Sequence, residues 1–114
     1  MADCLFCRIV AGEVPSESVR STESTYAFRD VTPQAPVHVL LVPRDHYDNA
    51  AELANAAPAV MVELMREAGA VAADLGVADS GYRLVFNTGA EANQTVNHVH
   101  LHLLGGRAMG WPPG

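Results

Sequence analysis

Apolar and polar positions along the 114-residue chain change period several times, and each change marks an element. In Cys4-Leu5-Phe6-Cys7-Arg8-Ile9-Val10 the residues Leu5, Phe6, Ile9 and Val10 recur at helical spacing, and Gly12 ends the turn or two they define. Residues 25–31 and 37–42 read as strands. Their connector, Thr32-Pro33-Gln34-Ala35-Pro36, carries two prolines and rules out one continuous strand. Pro43-Arg44-Asp45 then turns the chain outward, and Asn49-Ala50-Ala51-Glu52 has the spacing of a capping box for a short helix. A longer helix opens near Pro58. Met61, Leu64, Met65, Ala68, Val71, Ala72 and Leu75 follow at steps of three and four, giving it one apolar face that Gly76 terminates. Residues 82–87 and 98–104 read as the last two strands, divided by the polar loop 88–97. The order ββ-α-ββ, behind a short N-terminal helix, predicts an α+β fold: one domain over residues 1–114, an antiparallel sheet with helices to one side.

Composition narrows the function classes. An apolar share of 49% suits a globular chain, and no apolar run is long enough to span a bilayer. Met1-Ala2-Asp3-Cys4 lacks the basic and apolar regions of a secretory signal, so a cytoplasmic location is expected. The formal charge is −6, no lysine is present, and the arginines are scattered, so neither a nucleic acid nor a membrane is an expected partner. One small phosphate ligand remains compatible, because backbone N–H groups and a few side chains can hold it locally.

Three of the five histidines fall in His98-Val99-His100-Leu101-His102. On a strand, residues two apart share a face at about 6.6–6.8 Å, so the imidazoles would line one face and Val99, Leu101 and Leu103 the other. A helix would send His100 away from His98 and His102. Imidazole changes protonation state near neutral pH, and a neutral ring with one nitrogen tied up as donor can attack phosphorus with the other. A flanking histidine can protonate the leaving group. Spacing alone leaves three readings open: nucleophilic and acid–base chemistry, a metal site, or hydrogen-bonded structural histidines. His38, at the start of a very apolar strand, is a candidate to orient another imidazole.

The segment His98-Val99-His100-Leu101-His102-Leu103-Leu104 resembles the His-x-His-x-His-x-x pattern of the histidine triad proteins. Residues 27–38, Ala73-Asp74-Leu75-Gly76, Leu101-His102-Leu103-Leu104-Gly105-Gly106-Arg107 and the ending Trp111-Pro112-Pro113-Gly114 are similar to its nucleotide-binding (Hint) branch. That resemblance implies a five-stranded antiparallel sheet paired into a ten-stranded sheet in a homodimer. It implies a hydrolase of purine nucleoside 5′-phosphoramidates, with His100 forming a nucleotidyl-imidazole intermediate and a nucleoside monophosphate such as AMP released. The carbonyl of His98 would fix the His100 tautomer, His102 would contact phosphate or leaving group, and His38 would support them. Asp30 would bind the ribose hydroxyls, and Leu5, Phe6, Ile9, Phe28 and Val31 would enclose the base. Asn87, Gly89 and Thr95 would approach the phosphate, and Trp111 would join the nucleotide site from a tail that shapes substrate choice, within the chain or across the dimer. Thr95 stands where many relatives carry serine, keeping the hydroxyl, whereas Asn93 and Asn97 depart from the pattern in ways that bear on leaving-group preference.

Cys4-x-x-Cys7 by itself supplies half of a tetrahedral zinc site. The resemblance to bacterial triad proteins that carry this pair implies a structural zinc on Cys4, Cys7, His46 and His98, with no cofactor required for catalysis. Other readings are a dinucleoside polyphosphate hydrolase, a nucleotide-binding or partner-interaction module with incidental turnover, and a zinc-centred structural protein.

Overall fold

In the computed structural model, which describes residues 3–114, the two-sided character of one strand organises the fold. Met1 and Ala2, which begin the segment read as lacking a leader, lie outside the described residues. The strands β1 (Ser18–Ser21), β2 (Thr25–Arg29), β3 (Val37–Pro43), β4 (Tyr82–Phe86) and β5 (Leu101–Gly105) form one sheet in the order β1-β2-β3-β5-β4. Every neighbouring pair is antiparallel. Helices α1 (Leu5–Val10), α2 (Ala50–Ala56) and α3 (Pro58–Asp74) complete the α+β fold. Among the described residues no helix is long and apolar enough to cross a membrane.

Central β3 is buried along almost its whole length. Val39 and Leu41 pack with Leu101 and Leu103 of β5 against Leu53 of α2 and Leu64, Ala68 and Val71 of α3. Leu40 and Val42 point to the opposite face and join Phe28 and Phe6 in a second cluster. An unbroken apolar run needs cover on both faces, and α1 supplies the second cover, so the helices do not all lie to one side as the element order suggested. A short helix is weak in isolation. This one is fixed by Phe6 and by Cys4, whose Sγ accepts from the Cys7 N–H at its N-terminus.

Asn49 caps α2 by accepting from the Glu52 N–H at 2.9 Å, and Pro58 opens α3, as the pattern predicted. Met65, expected on the apolar face of α3, is 43% exposed: it sits at the rim of the stripe whose centre is Leu64, Ala68, Val71 and Ala72. The pattern missed β1, where Ser18-Val19-Arg20-Ser21 offers a single apolar residue. That strand is held instead by a bulged pairing with β2 and by Arg20, which bonds Glu67 and Asp74 of α3 at 2.9 and 3.1 Å. The last strand begins at Leu101 rather than His98. Val99 sends its N–H to the Tyr47 carbonyl at 2.7 Å, and the His98 carbonyl is taken by a side chain, so neither enters the ladder.

Candidate functional site

The strand register gathers the histidines. His102 lies opposite Leu40 of β3 and Val85 of β4, on the face of Phe28, and His38 pairs with Leu104 on that same face. Alternation persists beyond the end of β5: Val99 and Leu101 enter the α2–α3 core, while the His98 and His100 rings turn the other way. They meet Phe6 edge-on, with centroids at 6.0 and 4.9 Å. His98 is fully buried, His100 and His38 nearly so, and His102 half-buried.

Each ring has a partner that decides its proton. His100 Nδ1 lies 2.8 Å from the His98 carbonyl, an acceptor only, so Nδ1 carries the hydrogen and the Nε2 lone pair is free. Burial lowers the His100 pKa, against the raising effects of that hydrogen bond and of Asp30. Burial, reinforced by His100 and His38, brings His102 down to about 4, and burial also lowers His38. His38 Nε2 contacts His102 Nδ1 at 2.9 Å and Asp30 Oδ2 at 3.4 Å. The result is a set of neutral imidazoles, one of them presenting a bare nitrogen.

A cleft of about 420 Å³, of the size that holds small ligands, lies in front of His100 and His102. Its lining includes Leu5, Phe6, Ile9, Phe28, Val31 and Asp30, the residues expected around a base and ribose, together with Thr95. Val31 is 96% exposed, so it is a rim rather than a wall. Leu40 and Val96 line the cleft without having been singled out; alternation with His38 points to Leu40, whereas Val96 sits in a loop with no period to reveal it. Extending the β4–β5 register by one residue sets Asn87 opposite His100, but neither Asn87 nor Gly89 lines this cleft. Trp111 is 83% exposed in the C-terminal tail and does not line the cleft of its own chain. A larger, more open depression of about 640 Å³ lies by Cys4, His46 and Thr95 but holds neither His100 nor His102.

Cys4, Cys7, His46 and His98 bring four ligand atoms within 4.8 Å of one another. His98 Nδ1 is 3.4 and 3.5 Å from the two sulfurs, and His46 Nδ1 is 3.5 Å from Cys7 Sγ. Zinc bonds of about 2.3 Å to sulfur and 2.05 Å to nitrogen, at a tetrahedral angle, put neighbouring ligands about 3.6 Å apart. The observed edges fit. Both rings are also turned for metal binding: His98 Nε2 donates to the Pro43 carbonyl at 2.9 Å and His46 Nε2 to Asp48 at 3.0 Å, leaving each Nδ1 lone pair aimed inward. Without a cation, burial and the neighbouring Cys4 push the Cys7 thiol up to about 11, so a metal would supply the charge that makes it a thiolate.

Gln34 and Arg107 also bear on the site without a functional role being read for them in the sequence. The Gln34 N–H donates to His38 Nδ1 at 3.0 Å, and Arg107 Nε donates to the Gln34 carbonyl at 3.0 Å. Backbone donors leave no mark in a sequence pattern, and Arg107 was seen only as part of the Gly105-Gly106-Arg107 resemblance.

The site thus sets a buried histidine with a free Nε2 beside an apolar cleft and a carboxylate, on an antiparallel α+β domain. The HIT domain model matches residues 11–109, and the chain belongs to the HIT domain family. A HIT family hydrolase from Legionella pneumophila superposes with a TM-score of 0.94 at 42% identity, covering 98% of this chain and 100% of that one. The 14 kDa zinc-binding protein of Brassica juncea is 41% identical over 114 residues, covering 98% of this chain and 100% of its own. The adenylylsulfatase HINT1 of Arabidopsis thaliana is 41% identical over 112 residues, which is 96% of this chain and 76% of the relative.

Proposed function

We propose that the protein is a nucleotide hydrolase that cleaves purine nucleoside 5′-phosphoramidates and related mixed anhydrides at the α-phosphorus. The observation that carries this reading is His100: its Nδ1–H is fixed on the His98 carbonyl at 2.8 Å, and its Nε2 is free beside the cleft. The apolar walls formed by Phe6, Ile9 and Phe28 suit a flat base, and the Asp30 carboxylate suits two adjacent ribose hydroxyls. His100 Nε2 bonds to phosphorus as the bond to the leaving group breaks, and the departing nitrogen or oxygen takes its proton from solvent water while the one N–H of neutral His102 holds it by a hydrogen bond. Water then attacks phosphorus, loses a proton to solvent and cleaves the P–N bond, releasing the nucleoside monophosphate and free His100. The sulfate-linked substrate in the Arabidopsis relative's name fits the same chemistry with another leaving group.

A zinc ion on Cys4, Cys7, His46 and His98 would supply structural cross-linking of α1 to two loops; none of the bond-making steps needs it. The protein works as a homodimer in this reading. The exposed apolar side chains Val62 and Met65 on α3, together with Tyr82 on edge strand β4, support that assembly. Turnover should be measured on adenosine 5′-phosphoramidate, adenylyl sulfate and a diadenosine polyphosphate, with light scattering for mass. Preferred cleavage of the first, abolished in His100→Ala, is expected. AMP binding without turnover of any of the three would identify a binding module instead.

A further inference from the structure

Gly106-Arg107 follows the last strand and lines no part of the cleft, yet it is joined to the histidines through one loop. Gly106 has φ +88°, and a Cβ there would lie 3.0 Å from Pro36 Cβ, so only glycine lets this turn close on the 32–36 connector. Arg107 then reaches over the connector: Nε donates to the Gln34 carbonyl at 3.0 Å and Nη1 to the Ala108 carbonyl at 3.1 Å. The other side of the same residue, the Gln34 N–H, donates to His38 Nδ1 at 3.0 Å.

A backbone amide can only donate. His38 Nδ1 is therefore the bare nitrogen of a neutral ring, and Nε2 holds its hydrogen. That hydrogen faces His102 Nδ1 at 2.9 Å, with Asp30 Oδ2 further off at 3.4 Å. His102 Nδ1 is then an acceptor, and the single hydrogen of neutral His102 sits on Nε2.

We infer that the Gly106-Arg107 turn is a tautomer clamp: by pressing the Gln34 amide onto His38 it sets the proton positions of His38 and His102, so that His102 presents Nε2–H as donor. Gln34 and Arg107 are positioning residues, acting through His38. The consequence for catalysis rests on the reading of His102 as donor to the leaving group. Released from the amide, His38 can take the other tautomer, its Nε2 becomes an acceptor, and His102 must turn its proton inward, away from the substrate. The order is one-way because the chain begins at a main-chain N–H, which has no second protonation state.

Long-range ¹H–¹⁵N correlation spectra of the uniformly labelled protein at pH 7.5, without substrate, report each ring's tautomer directly. Hydrogen on Nε2 of both His38 and His102 is expected in the wild type; hydrogen on Nδ1 of either ring overturns the inference. Gln34→Pro removes the N–H and Gln34→Ala keeps it. The first should mix the His38 and His102 tautomers and lower kcat about tenfold or more with KM within about twofold, as loss of a positioned hydrogen-bond donor does. The second should match the wild type in both readouts. Arg107→Ala should lower kcat by about fivefold, the size of one hydrogen bond's net effect, with partial recovery in Arg107→Lys. Unchanged tautomers in folded Gln34→Pro would refute the clamp, and if that variant does not fold, the wild-type spectrum still decides. Expected tautomers with no turnover of any substrate would leave the clamp standing and remove the hydrolase reading alone.

Discussion

Replacing Phe6 by alanine should separate nucleotide binding from global stability. Phe6 is 5% exposed and packs edge-on against Phe28 at 5.6 Å and against the His100 ring at 4.9 Å. Burial of a phenylalanine that complete corresponds to about 3–5 kcal/mol on truncation to alanine. Helix α1 has six residues and cannot persist undocked, so its place on the sheet depends on Phe6, Ile9, Val10 and the Cys4–Cys7 cluster. The larger core under α2 and α3 contains none of these residues. Losing about 3 kcal/mol from so small an element should therefore undock α1 while the sheet stays folded, so that only part of the loss appears in global unfolding. Even about 2 kcal/mol charged to opening the base wall weakens binding roughly 30-fold. Calorimetric titration with AMP and urea unfolding give the two numbers, and hydrogen exchange over residues 5–11 identifies the opening. A variant with wild-type AMP affinity whose unfolding free energy drops by the full 3–5 kcal/mol would refute the reasoning.

Gly105→Ala would place a Cβ 3.0 Å from Val77 Cβ and Cγ1, an overpacking expected to cost about 1–3 kcal/mol. Urea unfolding of the single variants and of the pair with Val77→Ala should show the alanine tolerated better once Val77 is trimmed; purely additive losses would contradict the contact. Below pH 6.5 the unfolded chain takes up protons that His38 and His102, the latter at about 4, still refuse in the folded state. Stability should thus be flat above pH 6.5 and decline from there toward about 4, with a shallower slope in His102→Asn; an unfolding midpoint that is no lower at pH 5 than at pH 7.5 would contradict it. Native mass spectrometry should find one zinc per chain, and Cys7→Ser should lose it with a fall in Tm of at least about 5 °C. A metal-free wild type would dismiss the zinc site.

Much of this architecture is legible in the sequence, and the reasons differ from residue to residue. Period-two alternation places the three triad histidines opposite Val99 and Leu101 even where the strand ladder has ended, because side-chain direction follows the extended backbone and not its hydrogen bonds. Pro58 and Asn49 mark helix starts because their effects are local. What stays hidden is carried by tertiary partners. β1 holds through Arg20 reaching α3 across 47 and 54 residues of chain, and the cover of α1 follows only from the two-sided burial of β3. The Cys4, Cys7, His46 and His98 cluster joins Cys4 to a histidine 94 positions away, a pairing that spacing cannot give and family resemblance can.

The central claim is that His100 becomes covalently nucleotidylated. Intact-mass spectrometry of protein quenched seconds after mixing with adenosine 5′-phosphoramidate, beside His100→Ala treated identically, tests it most directly. An acid-labile adenylyl adduct on the wild type, absent from the variant, is the predicted result. Equal turnover by the two proteins with no adduct on either would contradict the account and return the histidines to the role of metal or ligand binders.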